Sequence, residues 1–167
     1  MSEVLVEDNF LTEKEFKDLQ RDMMSTYFPW YFNDYIVFDK HKEMHLKDNF
    51  QFTHTFIMNN EKKSDLLHLL NPLINKINPN NLFRIKANLG TRNNEHIEHD
   101  FHTDFDEPNV TTGIFYINTN NGYTRFKDGK KVKSVANRYV KFDGSKLHSG
   151  VSQTDTKSRI VLNFNYK

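Results

Sequence analysis

Hydrophobic side chains recur at helical spacing in the first half of the chain and at strand spacing in the second half. Thr12, with Glu15 three positions later, has the spacing of a capping box and predicts a helix over residues 12–26. Leucines and isoleucines at helical spacing predict a second helix over 64–77, which Pro72 is expected to kink or divide because proline lacks the backbone N–H. Short strands are predicted before and between these helices, over 3–7 and 50–58.

From residue 82 onward the pattern is that of short strands, rich in β-branched and aromatic residues and separated by Asn, Gly, Asp and Lys. The runs are LFRIKANL, VTTGIFYIN, YTRF, KVKSVA, RYVKF, HSGVS and SRIVLNFNY. Two helical segments in front of about eight short strands predict a mainly β fold with flanking helices. The expected architecture is a jelly roll, the cupin-like double-stranded β-helix, with residues 82–167 as its core and 1–81 as support.

Composition narrows the class of protein. At 167 residues the chain suits one domain with a sizeable core, so a single domain is expected over 1–167. The formal charge of +1, without a long block of either sign, gives no indication of nucleic-acid binding or of a polybasic membrane anchor. No apolar run suits a membrane span or a signal peptide, so a soluble cytoplasmic protein is expected. Cysteine is absent, so any metal must be bound by nitrogen and oxygen ligands.

A candidate metal site starts from the H-x-[DE] pattern, which occurs at His41–Glu43, His96–Glu98 and His102–Asp104. Any single match is more often an ordinary histidine, so the surrounding elements must select among them. His102 and Asp104 stand between two predicted strands, at the expected mouth of the barrel, and His148 begins a later strand that returns to the same rim. Two imidazoles and one carboxylate with open positions suit non-heme Fe(II) better than structural zinc. These three residues are the predicted metal ligands.

Arg159 lies in the last predicted strand, where side chains alternate between two faces. One face carries Ile160, Leu162, Phe164 and Tyr166, and the other carries Arg159, Val161, Asn163 and Asn165. A guanidinium that points into a barrel is costly without an anion, and it suits the far carboxylate of a dicarboxylic acid through a bidentate pair. On this pattern alone, a surface arginine on an edge strand is an equal interpretation.

With this arrangement the chain resembles the Fe(II)/2-oxoglutarate-dependent oxygenases, in particular the branch of prolyl 4-hydroxylases and small phage-encoded oxygenases. The resemblance covers roughly residues 82–167. It makes His102, Asp104 and His148 the iron triad and places Arg159 where that branch has its basic 2-oxoglutarate anchor. The match is specific because four functional positions and their strand order agree.

The stretch TTGIFYIN is similar to the family strand that follows the first metal motif. From this similarity, Tyr116 is expected to donate its hydroxyl to the same 2-oxoglutarate carboxylate as Arg159. Ile114 is expected to line the pocket. Asn88, on the preceding strand, stands where relatives often have a polar contact to the co-substrate.

Three positions bear on the reaction class that the resemblance implies. The carboxylate of Asp104 favours hydroxylation over halogenation, because family halogenases have a small residue at that place. The DNA-repair branch has a second arginine six residues after the anchor, whereas this chain has Asn165, which disfavours a nucleobase substrate. Where the branch usually has a Gly-Gly pair before a Thr, this chain has Asn121-Gly122-Tyr123-Thr124, so Tyr123 either narrows the site or packs outside it.

The resemblance implies that Fe(II) and O2 decarboxylate 2-oxoglutarate to succinate while an aliphatic C–H bond is hydroxylated, with ascorbate as a candidate reductant. Prolyl hydroxylation, of a peptide or of the free amino acid, is the preferred prediction, and other small molecules are alternatives. The aromatic segment 27–38 is either a substrate lid or core, and packing is the favoured interpretation. The residues that flank the metal motif, His96, His99, Asp100 and Asp106, either contact substrate or are solvated loop residues, and the second interpretation is favoured.

Two other classes stay open, and the sequence does not specify an oligomeric state. A non-oxygenase cupin-like protein that binds a metal or a small ligand would share the jelly roll, but it would not require Arg159 and Tyr116 in the pocket. A structural, capsid-like jelly roll would leave the three predicted ligands dispersed in space.

Overall fold

The computed structural model describes residues 3–36, 50–105 and 107–167. Its helical elements are α1 (Glu13–Met23), a 3-10 helix (Asp65–Leu70) and α2 (Asn71–Ile77). The strands before residue 82 are β1 (Leu5–Glu7), β2 (Tyr31–Asn33), β3 (Gln51–Met58) and β4 (Glu61–Lys62). The later strands are β5 (Leu82–Thr91), β6 (Thr111–Tyr116), β7 (Tyr123–Phe126), β8 (Lys131–Lys133), β9 (Arg138–Asp143), β10 (His148–Val151) and β11 (Ser158–Tyr166).

These strands form two antiparallel sheets. The major sheet has eight strands in the order β1-β9-β6-β11-β5-β3-β2, with β4 paired to β3, and the minor sheet has the order β10-β7-β8. The mainly β architecture with helices confirms the predicted jelly-roll class. Within the described part of the chain, seven strands follow residue 81, one fewer than the roughly eight expected.

The first helix begins where the sequence predicts and ends earlier. Thr12 Oγ1 accepts a hydrogen bond from the Glu15 N–H at 3.4 Å, and the Glu15 carboxylate accepts one from the Thr12 N–H at 3.1 Å, so the capping box is present. The helix ends at Met23, not at residue 26, because the chain turns where the N–H of Phe28 donates to the carbonyl of Ser25.

The predicted second helix is divided, as expected from Pro72. A 3-10 helix comes first, and Pro72 lies in the first turn of α2, where its missing N–H has no intrahelical partner to lose. The helix ends at Ile77 and is capped by Asn78, which adopts the left-handed conformation with φ of 48°. Among the described residues, none of the helices has the length and apolar character needed to cross a membrane.

The helices pack on one face of the major sheet, and the opposite face lines a cavity. The shared core includes Leu19, Met23, Leu70, Leu73, Phe115, Ile160, Leu162 and Phe164. Strand β11 shows the predicted alternation, since Ile160 and Leu162 face this core whereas Arg159, Val161 and Asn163 face the cavity. Polar side chains of β11 are thereby directed away from the helices.

A second buried cluster joins the inner face of the major sheet to the minor sheet. Its members are Val4, Ile114, Tyr116, Phe126, Val132, Val140, Phe142 and Val161. The rings of Phe126 and Phe142 meet edge to face, with their centroids 4.9 Å apart. These contacts hold the two sheets against each other.

Gly113 in β6 lies against the ring of Tyr139, and an added Cβ would stand 2.7 Å from the ring carbon Cζ. Tyr139 is buried and stacks on Phe10 at 4.5 Å, so the ring has little room to move. We predict that Gly113→Ala lowers the free energy of unfolding by about 2 kcal/mol, measured by urea denaturation. Gly90→Ala is the control, since its Cβ would meet open space, and its effect should be below about 0.5 kcal/mol. Equal effects in the two variants would contradict this packing.

Candidate metal centre

The backbone brings His102 and His148 side by side although they are distant in sequence. His102 lies in the connection between β5 and β6, and His148 is the first residue of β10. The two form an isolated antiparallel bridge, in which the N–H of each donates to the carbonyl oxygen of the other at 3.0 Å. Their ring centroids are 4.6 Å apart. The side chains are therefore fixed as neighbours at one end of the minor sheet.

The turn between β9 and β10 positions Asp104. The backbone N–H of Asp104 donates to the Gly144 carbonyl at 3.1 Å, and the N–H of Gly144 donates to the Val110 carbonyl at 2.7 Å. The Asp143 carboxylate closes this turn by accepting a hydrogen bond from the Ser145 N–H at 2.9 Å. The turn predicted in front of the second histidine is thus present, and it also positions the candidate carboxylate ligand, Asp104.

His102, Asp104 and His148 each offer one ligand atom, and these atoms lie within 4.8 Å of one another. His102 Nε2 is 3.9 Å from Asp104 Oδ1, and His148 Nε2 is 4.0 Å from Asp104 Oδ2. These separations are too long for hydrogen bonds, yet small side-chain rotations would bring all three atoms to about 2 Å from one ion. In the part of the chain that the structure describes, this is the one cluster of such side chains that meets the geometry of a metal site.

The ring orientations of both histidines suit metal binding. His148 Nδ1 lies 3.0 Å from the Lys146 carbonyl, which can only accept, so Nδ1 carries the proton and Nε2 keeps its lone pair. His102 Nδ1 faces the Asp100 carbonyl at 3.5 Å. Burial lowers the pKa of His148, which favours its neutral, ligating form. Such backbone contacts are typical of metal-binding histidines, and this donor set fits one face of a ferrous ion.

Asp104 is almost completely buried, with 4% of its side chain exposed. Arg84 Nη2 donates to Oδ1 at 3.1 Å, while Thr112 Oγ1 and Asn165 Nδ2 donate to Oδ2 at 3.1 and 3.2 Å. Burial acts to raise the pKa of Asp104, but Arg84, the two histidines of the site and the Asn165 hydrogen bond outweigh it and lower the pKa. The carboxylate is therefore ionised at neutral pH and available to a cation.

A cavity of about 470 Å³ opens beside these three residues. Its wall contains His102, Asp104 and His148 together with Arg159, Asn88 and Ile114. Of the residues predicted for the site, Tyr116 is the one that does not line the cavity. A metal at these three residues would thus face an open cavity large enough for a small organic acid.

Arg159 reaches into this cavity from β11. Its Nε donates to Ser134 Oγ at 3.0 Å, and its Nη2 lies 3.4 Å from Thr124 Oγ1. Gly122 leaves room for the arginine, because a Cβ there would stand 2.9 Å from Arg159 Cδ. No carboxylate among the described residues pairs with this guanidinium, so it retains donors for an external anion. The interpretation as a surface arginine on an edge strand is wrong, because β11 lies between β5 and β6.

Tyr116 lies behind the cavity wall. Its hydroxyl is fully buried and hydrogen-bonds to Thr124 Oγ1 at 2.7 Å, and the Arg159 guanidinium carbon is 5.7 Å from the centre of its ring. Thr124 therefore stands between Tyr116 and the arginine. A direct contact of Tyr116 with 2-oxoglutarate stays a prediction, as do the contacts of Ile114 and Asn88.

The other H-x-[DE] matches do not form a comparable cluster where the structure describes them. His96 Nδ1 is 2.6 Å from the Ser152 carbonyl, and Glu98 accepts a hydrogen bond from the Tyr123 hydroxyl at 3.1 Å. Since Tyr123 does not line the cavity, it packs outside the site and does not narrow it. The match at His41–Glu43 lies outside the described residues.

The aromatic segment 27–38 contributes both to the core and to the surface. Phe28 is buried and contacts the rings of Trp30 and Phe56, as the packing interpretation predicts. The exposed members are Tyr27, Tyr31 and Phe32, and the cavity-lining members are Tyr35 and Ile36. Residues 37 and 38 lie outside the described residues.

The interpretation of His99 as a solvated loop residue is wrong. Its backbone carbonyl accepts hydrogen bonds from Ser149 Oγ at 2.5 Å and Arg125 Nη2 at 2.9 Å, which hold the loop against β7 and β10. The His99 ring then lines the cavity, where burial and the charge of Arg159 lower its pKa to about 4. Of the other flanking residues, His96 and Asp100 are exposed, and Asp106 lies outside the described residues.

Sequence patterns do not identify the donors around Asp104. Arg84 and Thr112 receive no role from the sequence, and Asn165 is notable there only as the residue that replaces a second arginine. The pairing of β5 with β11 places Arg84 directly opposite Asn165, and Arg84 Nε donates to Asn165 Oδ1 at 2.8 Å. The available signal was the polar face of β11, which by itself does not name a partner.

Comparison with known proteins shows the fold. The structure resembles the non-heme alpha-ketoglutarate-dependent epimerase SnoN from nogalamycin biosynthesis, with a TM-score of 0.66, 12% identity, and coverage of 99% of this chain and 78% of SnoN. It also resembles a Trichoplax adhaerens prolyl hydroxylase that was solved with a hypoxia-inducible-factor peptide fragment. The TM-score is 0.65 and the identity 11%, with coverage of 98% of this chain and 82% of the hydroxylase. A Pseudomonas putida prolyl-4-hydroxylase is similar with a TM-score of 0.60 and 13% identity, with coverage of 100% of this chain and 94% of the hydroxylase.

No family model and no curated protein sequence matches the chain. The likeness to prolyl hydroxylases is thus a likeness of fold, and the small phage-type branch has no support from the comparisons. Their fold is the one that the sequence predicts for this chain.

We predict that Asn165→Leu weakens Mn(II) binding by about ten- to a hundredfold, because Asp104 loses one of the donors that orient it. Asn163→Leu is the matched control, since Asn163 lies on the same face of β11 and makes no hydrogen bond to Asp104. Isothermal titration with Mn(II) measures both. An unchanged affinity in Asn165→Leu, or an equal loss in Asn163→Leu, would contradict this role.

Proposed function

We propose that the protein is an Fe(II)- and 2-oxoglutarate-dependent dioxygenase that hydroxylates an aliphatic C–H bond. The observation that carries the proposal is that one cavity is lined both by the cluster His102, Asp104 and His148 and by the guanidinium of Arg159. This guanidinium has no carboxylate partner among the described residues. A metal site alone would suit many proteins. A metal site that faces a partly buried arginine suits a co-substrate with a chelating end and a distant carboxylate.

In this proposal the three ligand residues hold one face of Fe(II) and leave the remaining positions to small molecules. Iron with bound 2-oxoglutarate supplies the oxidative decarboxylation that activates dioxygen for hydroxylation of the substrate. The protein orients the ligands and excludes bulk water from the cavity. The carboxylate of Asp104 occupies a position that a halide would need, which favours hydroxylation over halogenation.

Arg159 is proposed to bind the 5-carboxylate of 2-oxoglutarate. Ser134 and Thr124 hold the guanidinium from one side, so its other N–H groups are directed to the cavity. Thr124 also binds the Tyr116 hydroxyl, and we propose that this pair completes the carboxylate site. Ile114 and Asn88 also line the cavity, and we propose that they contact the co-substrate.

Proline, in a peptide or as the free amino acid, is the preferred substrate in this proposal. It is supported by the likeness of fold to prolyl hydroxylases, one of which was solved with a peptide. Ascorbate is a candidate reductant for the iron. A cupin-like protein that only binds a metal or a small ligand is the alternative, and the unpaired Arg159 in the cavity favours the oxygenase over it.

The proposal predicts succinate formation from 2-oxoglutarate when protein loaded anaerobically with Fe(II) is exposed to air. His102→Ala and Asp104→Ala should reduce this turnover to background while the fold is kept, because each removes a metal ligand. His96→Ala is the control, since His96 belongs to an H-x-[DE] match outside the cavity. Succinate formation in His102→Ala at the wild-type rate would contradict the assignment.

Arg159→Ala is expected to raise the 2-oxoglutarate concentration needed for half-saturation by about ten- to a hundredfold, because a charge-assisted carboxylate contact is lost. The anaerobic titration follows the weak visible band of an Fe(II)-chelated keto acid. Arg138→Ala serves as the control, since Arg138 pairs with Asp8 at the surface. A cupin-like binder should give no such band in the wild type at any concentration of the keto acid.

A further inference from the structure

Lys86 is a cation of the cavity wall that the proposed reaction does not use. It lies in β5, two residues after Arg84, and its side chain is half-buried. The ammonium group of Lys86 makes neither a hydrogen bond nor an ion pair with any residue in 3–36, 50–105 or 107–167. Burial and the charge of Arg84 lower the pKa of Lys86 and outweigh the opposing effect of the Asp104 carboxylate. An ammonium group in such surroundings gains from an anion that the protein itself does not provide.

In the described wall of the cavity, the cations outnumber the carboxylates, so not every cation has a carboxylate paired with it. The described residues of its wall include the cations Arg84, Lys86 and Arg159 and a single carboxylate, Asp104. Fe(II) and 2-oxoglutarate carry equal and opposite charges, so binding both leaves the excess of positive charge unchanged. Asp104 already pairs with Arg84, and 2-oxoglutarate would engage Arg159. Lys86 then makes no ion pair with any described residue, although the charge of Asp104 acts on it from a distance.

Asn163 supplies a free acceptor next to this cation. It is directly opposite Lys86 in the pairing of β5 with β11, and both side chains line the cavity. Residues so paired have their Cβ atoms about 5 Å apart on the same face of the sheet. The Oδ1 atom of Asn163 is buried and has no hydrogen-bond partner among the described residues. A buried acceptor of this kind is costly unless a ligand donates to it.

The Lys86 site is separate from the site at Arg159. Along the paired strands, Arg159 is opposite Gly90 and Asn163 is opposite Lys86, so the two levels are four residue steps apart along β5. At the rise of an extended strand this corresponds to about 13 Å. Two anions can therefore occupy the cavity wall together, one at each level.

We propose that the substrate is a small molecule with a carboxylate that binds Lys86 and an adjacent N–H group that donates to Asn163 Oδ1, the pattern of a free α-amino acid. This inference rests on the proposed oxygenase function and names the substrate class of the same cavity. It favours free amino acids over prolyl residues within a peptide, whose carboxyl and amino groups are both in amide bonds.

The test uses the whole protein loaded with Mn(II) and 2-oxoglutarate, which permits binding without turnover. Each standard amino acid and its carboxamide are added in turn, and the thermal midpoint Tm is measured. At least one amino acid should raise Tm, and its carboxamide should need at least tenfold more ligand for the same rise. Lys86→Met should lose this selectivity for the acid. Lys133→Met should behave as the wild type, because Lys133 is an exposed residue of β8.

Ligand-free Lys86→Met should have a Tm equal to or above that of the wild type, because the methionine keeps the apolar stem and removes a half-buried charge. A lower Tm would indicate a structural role and overturn the proposal. It would also be overturned if no amino acid raised Tm, if acid and carboxamide acted equally, or if Lys86→Met kept the selectivity. Binding of 2-oxoglutarate in the absence of amino acid is measured first; its absence would overturn the oxygenase function as well, whereas its presence confines any failure to the Lys86 site.

Discussion

Asp104 is a carboxylate held almost entirely out of water, and the surrounding side chains are arranged around it. An isolated buried carboxylate would take up a proton, but Arg84, Thr112 and Asn165 surround its two oxygens with donors. The pKa therefore stays low despite the burial, and a negative charge faces the two histidines. The negative charge of the candidate metal site is fixed by the fold before any ion binds.

The jelly roll makes this arrangement possible because its two sheets bring together segments that are far apart in sequence. The minor sheet delivers His148, the loop before β6 delivers His102 and Asp104, and the central strand β11 delivers Asn165 to the carboxylate. Antiparallel alternation then separates two tasks within β11, since one face packs on helices and the other lines the cavity. One face of β11 thus contributes to the hydrophobic core, and the opposite face contributes side chains to the candidate site.

Sequence patterns predict the periodic parts of this molecule well. The strands at 123–126 and 158–166 appear with the predicted bounds, since their alternation is strong and turn residues flank them. Less periodic features were missed, such as the short strands β2 and β4 and the early end of α1. Within the site, local motifs and resemblance identify candidate ligands, but partners such as Arg84 and Asn165 follow from strand register, which no local pattern specifies.

In the proposed function, one cavity would bind a metal at its three candidate ligands and the far carboxylate of a keto acid at Arg159. The most direct measurement is a crystal structure of the protein with Mn(II) and 2-oxoglutarate, with the metal located by anomalous scattering. The account predicts one Mn(II) bound by His102, Asp104 and His148, with the 5-carboxylate of 2-oxoglutarate on Arg159. Metal bound at other residues, or a keto acid that leaves Arg159 without a carboxylate, would contradict it.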